Sequence, residues 1–264
     1  MDKILLFIPM YNCENQIIRV LNQIDDTILN YISEVIVVNN KSIDNGESVV
    51  IDYCRKHDEL PLKLLRNDEN YGLGGSHKVA FEYAIDNSFD YVIVLHGDDQ
   101  GAICDLLPAL KTKSYRKYDC YLGARFASES KLIGYSKIRI VGNLFFNFIF
   151  SMAMRRKIFD LGAGLNMYSV DILKSRYYYT YPDNLTFNVY MLMAVKSYNQ
   201  SYTFFPLTWR ETDQISNAKV FSQAIKTLKM LVKYTVNEKD FLKIDYRDKK
   251  YNKYTYQIVY GGIK

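Results

Sequence analysis

Four short apolar runs, each closed by a polar cluster and followed by a stretch with helical spacing, leave the N-terminal part of this chain few architectures. Lys3 to Pro9 is the first run; the loop Met10 to Glu14 leads into residues 15–28, where Ile17, Ile18, Leu21 and Ile24 recur at a helical period. Glu34 to Val38 is the second, ending in the turn cluster 39–46, with a helix expected over Ser48 to His57. Leu62 to Leu65 is the third, followed by the glycine-bearing loop 66–75 and a helix over Lys78 to Asn87. The fourth, Tyr91-Val-Ile-Val-Leu95, runs into His96-Gly-Asp-Asp-Gln100. A continuous apolar run rich in β-branched residues suits a strand buried on both faces. Strand alternating with helix means βαβ units and a mostly parallel sheet.

In such sheets ligands bind outside the carboxyl ends of the strands, where all four polar clusters fall. His96, Asp98 and Gln100 alternate, so an extended backbone would aim all three the same way. Hard oxygen donors beside a diphosphate suit Mg²⁺ or Mn²⁺. The same residues also suit an acidic turn that caps the next element.

The second half is less regular. A strand is expected over Cys120 to Phe126, a long apolar stretch runs over Ile138 to Met154, and a Gly-rich turn lies within Ile158 to Tyr168. A helix is expected over Leu185 to Tyr198, a strand over Thr203 to Trp209 and a helix over Phe221 to Tyr234; beyond Asn237 the composition of Lys, Asp and Tyr reads as an exposed tail. With 264 residues, 48% of them hydrophobic, the chain has room for one large α/β domain and an extension. The net charge of +5 is mild and spread along the chain, which suits an anionic small ligand or surface better than duplex nucleic acid. Cys13, Cys54, Cys104 and Cys120 form no C-x-x-C pair and read as reduced thiols of a cytosolic protein. The N-terminus has no signal-peptide pattern, and no uninterrupted apolar run reaches the roughly 18 residues that span a bilayer.

In their order, Pro9-Met-Tyr-Asn-Cys-Glu14, Asn39-Asn-Lys-Ser-Ile-Asp44, Asn70-Tyr-Gly-Leu-Gly74 and His96-Gly-Asp-Asp-Gln100 resemble the family 2 glycosyltransferases, which have the GT-A fold. Gly123-Ala-Arg-Phe126 and Asp160-Leu-Gly-Ala-Gly-Leu165 are similar to the branch of dolichyl-phosphate mannose synthase and other polyprenyl-phosphate glycosyltransferases. The resemblance covers about residues 3–220 and implies an α/β GT-A domain over 1–220, with a nucleotide-sugar half (1–105), an acceptor half (106–220) and a helix and tail over 221–264. It implies that Pro9, Tyr11, Asn12 and Glu14 meet the nucleotide and that Asn39, Asn40 and Asp44 continue that site. Asn39 stands where the family has an Asp; its amide can donate as well as accept, so either a UDP- or a GDP-sugar is admitted. Asn70, Gly72 and Gly74 would bring backbone N–H groups to a phosphate, with Lys78 aimed at the diphosphate. The family's D-x-D-x-Q is here His96-Gly97-Asp98-Asp99-Gln100, so Asp98 is the expected metal ligand, with Gly97 beside it and His96 and Gln100 as further candidates.

Such a transfer needs charge stabilisation on the leaving diphosphate, here from a metal on Asp98 and a cation such as Arg125. A hydroxyl acceptor needs a carboxylate base, for which Asp160 and then Glu211 are the candidates; Asp160 could equally cap its own turn. A phosphate acceptor needs cations instead, and Lys137, Arg139, Arg210, Ser216 and Lys219 are the acceptor-side candidates. The expected acceptor is a lipid-linked saccharide or polyprenyl phosphate of a bacterial surface polysaccharide. Residues 144–157, apolar and then basic, read either as an interfacial helix on an anionic leaflet or as a core helix. A nucleotidyltransferase and a catalytically inactive nucleotide- or glycan-binding protein are the competing readings.

Overall fold

The computed structural model of the chain describes residues 1–213 and 220–261. Its strands are β1 (Ile4–Met10), β2 (Glu34–Asn39), β3 (Leu62–Asn67), β4 (Tyr91–Leu95), β5 (Cys120–Ala124), β6 (Lys131–Ile133), β7 (Leu165–Ser169), β8 (Tyr202–Pro206), β9 (Thr208–Arg210) and β10 (Tyr256–Tyr260). Its α-helices are α1 (Glu14–Leu21), α2 (Asp26–Leu29), α3 (Gly46–Lys56), α4 (Gly72–Asp86), α5 (Leu107–Thr112), α6 (Lys137–Met154), α7 (Val170–Leu173), α8 (Phe187–Ser197), α9 (Val220–Val236) and α10 (Glu238–Phe241). The large sheet runs β10-β3-β2-β1-β4-β7-β5-β8, and β6 pairs with β9 in a second, small sheet.

β3, β2, β1 and β4 are parallel neighbours, as the alternating pattern requires. Every residue of β1 is buried. Side chains such as Leu5 and Phe7 pack into one apolar layer, and Leu6 and Ile8 into the layer on the other face. Each fully buried aliphatic or aromatic side chain of this kind is worth ~1.5–3 kcal/mol. Their common direction puts the loops after β1, β2, β3 and β4 along one edge of the sheet.

Several elements differ from the sequence reading. The expected helix over 15–28 breaks into α1 and α2, because Asp25 caps a new turn by accepting from the Ile28 N–H at 2.9 Å. β7 lies antiparallel between β4 and β5. The strand expected over 203–209 divides at Leu207 into β8 and β9. The greatest difference is the C-terminal segment. It is not an exposed tail: β10 pairs antiparallel with β3 and extends the large sheet, while Tyr254 is buried in the core beside Tyr71.

Candidate active site

The turn after β4 is built by close backbone approach. Gly97 donates its N–H to Pro9 O at 3.1 Å. A Cβ at Gly97 would lie 2.8 Å from that oxygen, so glycine is required there. The extended backbone expected through His96, Asp98 and Gln100 does not form, because Asp99 adopts φ 58° and the chain turns. His96 donates its N–H to Gly164 O at 2.9 Å. Its ring lies so close to Gly164 that a Cβ there would sit 2.8 Å from the imidazole. Its Nε2 is buried with no hydrogen-bond partner, and its ring centroid is 6.1 Å from that of His77. Burial, reinforced by the Arg125 charge, pushes its pKa down to about 4. His96 is therefore a buried, neutral imidazole packed against Gly164, not aligned with Asp98 and Gln100 on one extended face as the sequence suggested.

Asp98, the expected metal ligand, lies in the turn after β4 beside Gln100. Gln100 donates its N–H to Asp98 Oδ1 at 3.3 Å. Burial, aided by the charges of Asp99 and Glu211 and opposed by backbone N–H groups, raises the Asp98 pKa to about 6. Glu211 is brought to the same place, accepting from Gln100 Nε2 at 3.4 Å and from one terminal nitrogen of Arg139 at 2.6 and 2.7 Å. The Arg139 guanidinium lies over the Tyr135 ring at 4.5 Å. Gly134 takes φ 74° under the Glu211 carbonyl, where a Cβ would overlap that oxygen. Asp98, Gln100, Glu211 and Arg139 thus form one cluster at the strand ends.

Among the described residues, no three His, Cys, Asp or Glu side chains converge into a ready-made metal cage. One desolvated carboxylate, with an amide oxygen within reach, still fits Mg²⁺ or Mn²⁺. Such ions are held through one or two carboxylates and take their remaining oxygens from water and substrate phosphates. The raised Asp98 pKa reflects its burial and the nearby Asp99 and Glu211 charges.

The loops after β1 and β2 are laced together. Asn12, at φ 51°, donates its N–H to Ser42 Oγ at 3.1 Å and accepts from the Ile43 N–H at 2.9 Å. Glu14 donates its N–H to Asp44 Oδ2 at 2.9 Å and accepts from the Asn45 N–H at 2.7 Å. Asn39 accepts from the Ser42 N–H at 2.9 Å and donates to Glu47 at 2.8 Å, and Glu47 is paired with Arg66 at 3.1 Å. Asn40 Oδ1 accepts from Asn67 Nδ2 and from the Tyr71 N–H, fixing the start of α4. Tyr11 stands exposed above these loops. These bonds tie the two loops into one rim at the sheet edge.

Other candidates are placed elsewhere. Asn70 spends its side-chain oxygen on Asn40 Nδ2 and the Gly72 N–H. The Gly74 N–H is bonded to Asp183 O at 2.8 Å. Gly72, at φ 74°, and Gly74 admit the 182–184 backbone rather than a phosphate. Lys78 is neither at a diphosphate nor on the surface. It is fully buried, donating to Tyr181 O at 2.6 Å, Asp183 Oδ1 at 2.7 Å and Tyr254 Oη at 3.1 Å. Burial outweighs the Asp183 charge and lowers its pKa to about 8. Arg125 and Asp160 have each other: two bonds of 2.7 Å join guanidinium to carboxylate. Asp160 also accepts from the Arg125 and Gly162 N–H groups at 2.9 and 3.1 Å. Neither is available as a base or as a free cation. Arg210 acts on Asp105 and Cys104, so strand alternation turns it away from Glu211. Lys137 is exposed at the start of α6. Ser216 and Lys219 lie outside the described residues.

Sequence reading missed Arg19, Gln23 and Glu47. Arg19 and Gln23 sit one helical turn apart, and both reach Asp99; that spacing was their only signal. Glu47 carried none beyond a place in the first turn of a helix.

A mostly parallel sheet with ligand loops at its carboxyl edge and an acidic turn after β4 is the GT-A fold of nucleotide-sugar glycosyltransferases. The match to the family model of glycosyl transferase family 2 covers residues 6–176, and the chain belongs to that family. No curated protein matches it. Among solved structures, it superposes on TarS 1–349 of S. aureus in complex with UDP with a TM-score of 0.60 at 19% identity, covering 89% of this chain and 65% of that one. Glucosyl-3-phosphoglycerate synthase of Mycobacterium tuberculosis with UDP gives 0.59 at 12% identity, over 89% and 80%. The mannosyltransferase PcManGT of Pyrobaculum calidifontis with GDP-Man and Mn²⁺ gives 0.58 at 16% identity, over 91% and 70%. At these identities the likeness concerns the fold. The chain spans about two thirds of the TarS structure.

Proposed function

We propose that this protein transfers a sugar, with inversion, from a nucleoside diphosphate donor to a lipid-linked saccharide or a polyprenyl phosphate in bacterial surface-polysaccharide assembly. It would work in the cytoplasm, peripherally at the inner face of the membrane. The observation that carries the reading is the convergence of Asp98, Gln100, Glu211 and Arg139. Relatives crystallised with UDP-GlcNAc, with UDP and Mn²⁺, and with GDP-Man and Mn²⁺ support a donor of this class.

Asp98 and the Gln100 amide oxygen would hold Mg²⁺ or Mn²⁺, which supplies positive charge to the departing diphosphate. Tyr11 offers the base a stacking face, while Asn39, buried and bonded to the Ser42 N–H and to Glu47, supports the rim behind it. Glu211, although paired with Arg139, keeps more contact with solvent than Asp160 does and would be the carboxylate that takes a proton from a hydroxyl acceptor. With a phosphate acceptor no proton is removed, and Arg139 binds the incoming anion instead.

A donor-turnover assay with UDP- and GDP-sugars and Mn²⁺ tests this, alongside the Glu211→Gln and Arg139→Gln variants. For a hydroxyl acceptor, Glu211→Gln lowers kcat by roughly 10²–10⁴ with donor binding retained. For a phosphate acceptor, Arg139→Gln is the damaging change. Donor binding without turnover of any donor would identify a nucleotide-binding protein and overturn the proposal.

A further inference from the structure

α6 and α9 leave a large part of their apolar surface uncovered. On α6 the exposed residues Ile138, Val141, Phe145, Phe148 and Met152 recur every three or four positions, one stripe along the helix. Ile138 is 85% and Phe148 63% exposed. The opposite face, with Asn147, Phe150 and Met154, is buried. α9 packs beside α6 and repeats the pattern: Ile225, Leu228, Val232 and Val236 are exposed, while Met230, Leu231 and Tyr234 are in the core. The α6 stripe spans fourteen positions, about 21 Å at ~1.5 Å per residue.

The charge pattern names the partner. Neither helix contains an Asp or Glu across its 18 and 17 residues. On α9 the exposed apolar residues Ile225, Leu228 and Val232 are each followed by an exposed lysine, Lys226, Lys229 and Lys233. A cationic row therefore runs beside the apolar row. At the end of α6, Arg155, Arg156 and Lys157 are exposed. A second copy of the same face would set like charges against each other. An anionic lipid surface accepts both rows: apolar side chains enter the acyl boundary and lysines meet headgroups. α6 is long and apolar enough to cross a bilayer, but its buried face ties it to the core, so it lies along a surface.

We propose that α6 and α9 together form a docking face for an anionic membrane. This deepens the proposed membrane-side location, on which it rests, by naming the surface. Arg139, in the first turn of α6, is turned off the stripe toward Glu211, so docking this face would hold the Arg139–Glu211 pair beside the membrane, where a lipid-linked acceptor would present its polar end.

The test is flotation of the full chain with phosphatidylglycerol–phosphatidylcholine vesicles and with pure phosphatidylcholine vesicles. Donor hydrolysis in solution is measured in parallel, with mass determined by light scattering. The expected result is binding to the anionic vesicles only. A triple Lys226→Gln, Lys229→Gln, Lys233→Gln variant should bind roughly a hundredfold more weakly. A Val141→Ser, Phe148→Ser variant should also lose binding, and both should keep donor hydrolysis and the parental melting temperature. Equal flotation of parent and triple variant, binding to neither vesicle, or a dimer broken by the Phe148 change would each overturn the docking face. Loss of donor hydrolysis in the parent itself would instead strike the sugar-transfer reading.

Discussion

Asp98 and Asp99 are consecutive carboxylates held in opposite roles. Asp98 lies in the field of Glu211 beside Gln100, while Asp99 is gripped by Arg19 Nε at 2.7 Å and Gln23 Nε2 at 2.9 Å. The positive φ of Asp99 separates them. Arg19 also bonds Asp213 at 2.8 Å, so α1 ties the turn after β4 to the segment after β9. The residue that anchors the turn is thus distinct from the residue offered to a metal.

Asp98→Ala should lower turnover by at least roughly a hundredfold and remove Mn²⁺-dependent donor binding, because a metal's charge stabilisation is worth several kcal/mol. His96→Ala should leave metal dependence intact. Parental activity of Asp98→Ala in the presence of EDTA would refute the metal assignment.

The Asp98 pKa of about 6 lies above the ordinary aspartate value. Its contribution to stability is fully present below the unfolded-state pKa and is lost as pH rises through about 6. Metal binding runs the other way, since a protonated Asp98 is a poor ligand. Mn²⁺ affinity, read by calorimetry without donor, should fall about tenfold per pH unit below 6, and Asp98→Asn should flatten that dependence.

Asp160→Asn and Arg125→Gln should each destabilise the fold by ~3–5 kcal/mol, the usual cost of orphaning one member of a buried ion pair. Urea titration measures it. A parental midpoint with turnover abolished in Asp160→Asn would restore Asp160 as a catalytic base.

Lys78→Ala should cost a similar ~3–5 kcal/mol by stranding Asp183. Donor affinity of the folded fraction should not change, since among the described residues Lys78 donates to Tyr181, Asp183 and Tyr254 in the core. A selective rise in donor KM at parental stability would place Lys78 at the diphosphate after all.

Asn39→Ala should raise the donor KM more than it lowers kcat, because it loosens the Ser42 and Glu47 rim, whose contacts to the base would be equal in the ground and transition states. Steady-state kinetics over a donor series decides this; a collapse of kcat alone would remove Asn39 from base recognition.

The parallel half of the sheet was legible because runs such as Glu34 to Val38 and Tyr91 to Leu95 are too apolar and β-branched for anything but buried strands. The turn that carries Asp98 was legible from its place just past β4. The extended backbone expected through His96, Asp98 and Gln100 was wrong because Arg19 in α1 and Gln23 just past its end, 80 and 76 residues away, fix the turn at Asp99. Asp160 and Arg125 each looked reactive in isolation, and a pairing across 35 residues leaves no local pattern. The polar C-terminal segment looked solvated because its partner strand lies far back in the chain.

That last pairing has a kinetic consequence. Gln257 and Asp68 meet across 189 residues, so β3 stays an open edge until the rest of the sheet is in place. Closing so long a loop comes late in folding, and an unpaired parallel strand is a template for other chains in the meantime. Refolding should therefore be slow and concentration-sensitive in its final phase, with the edge at Leu64 and Leu65 as the point where chains associate wrongly before β10 arrives.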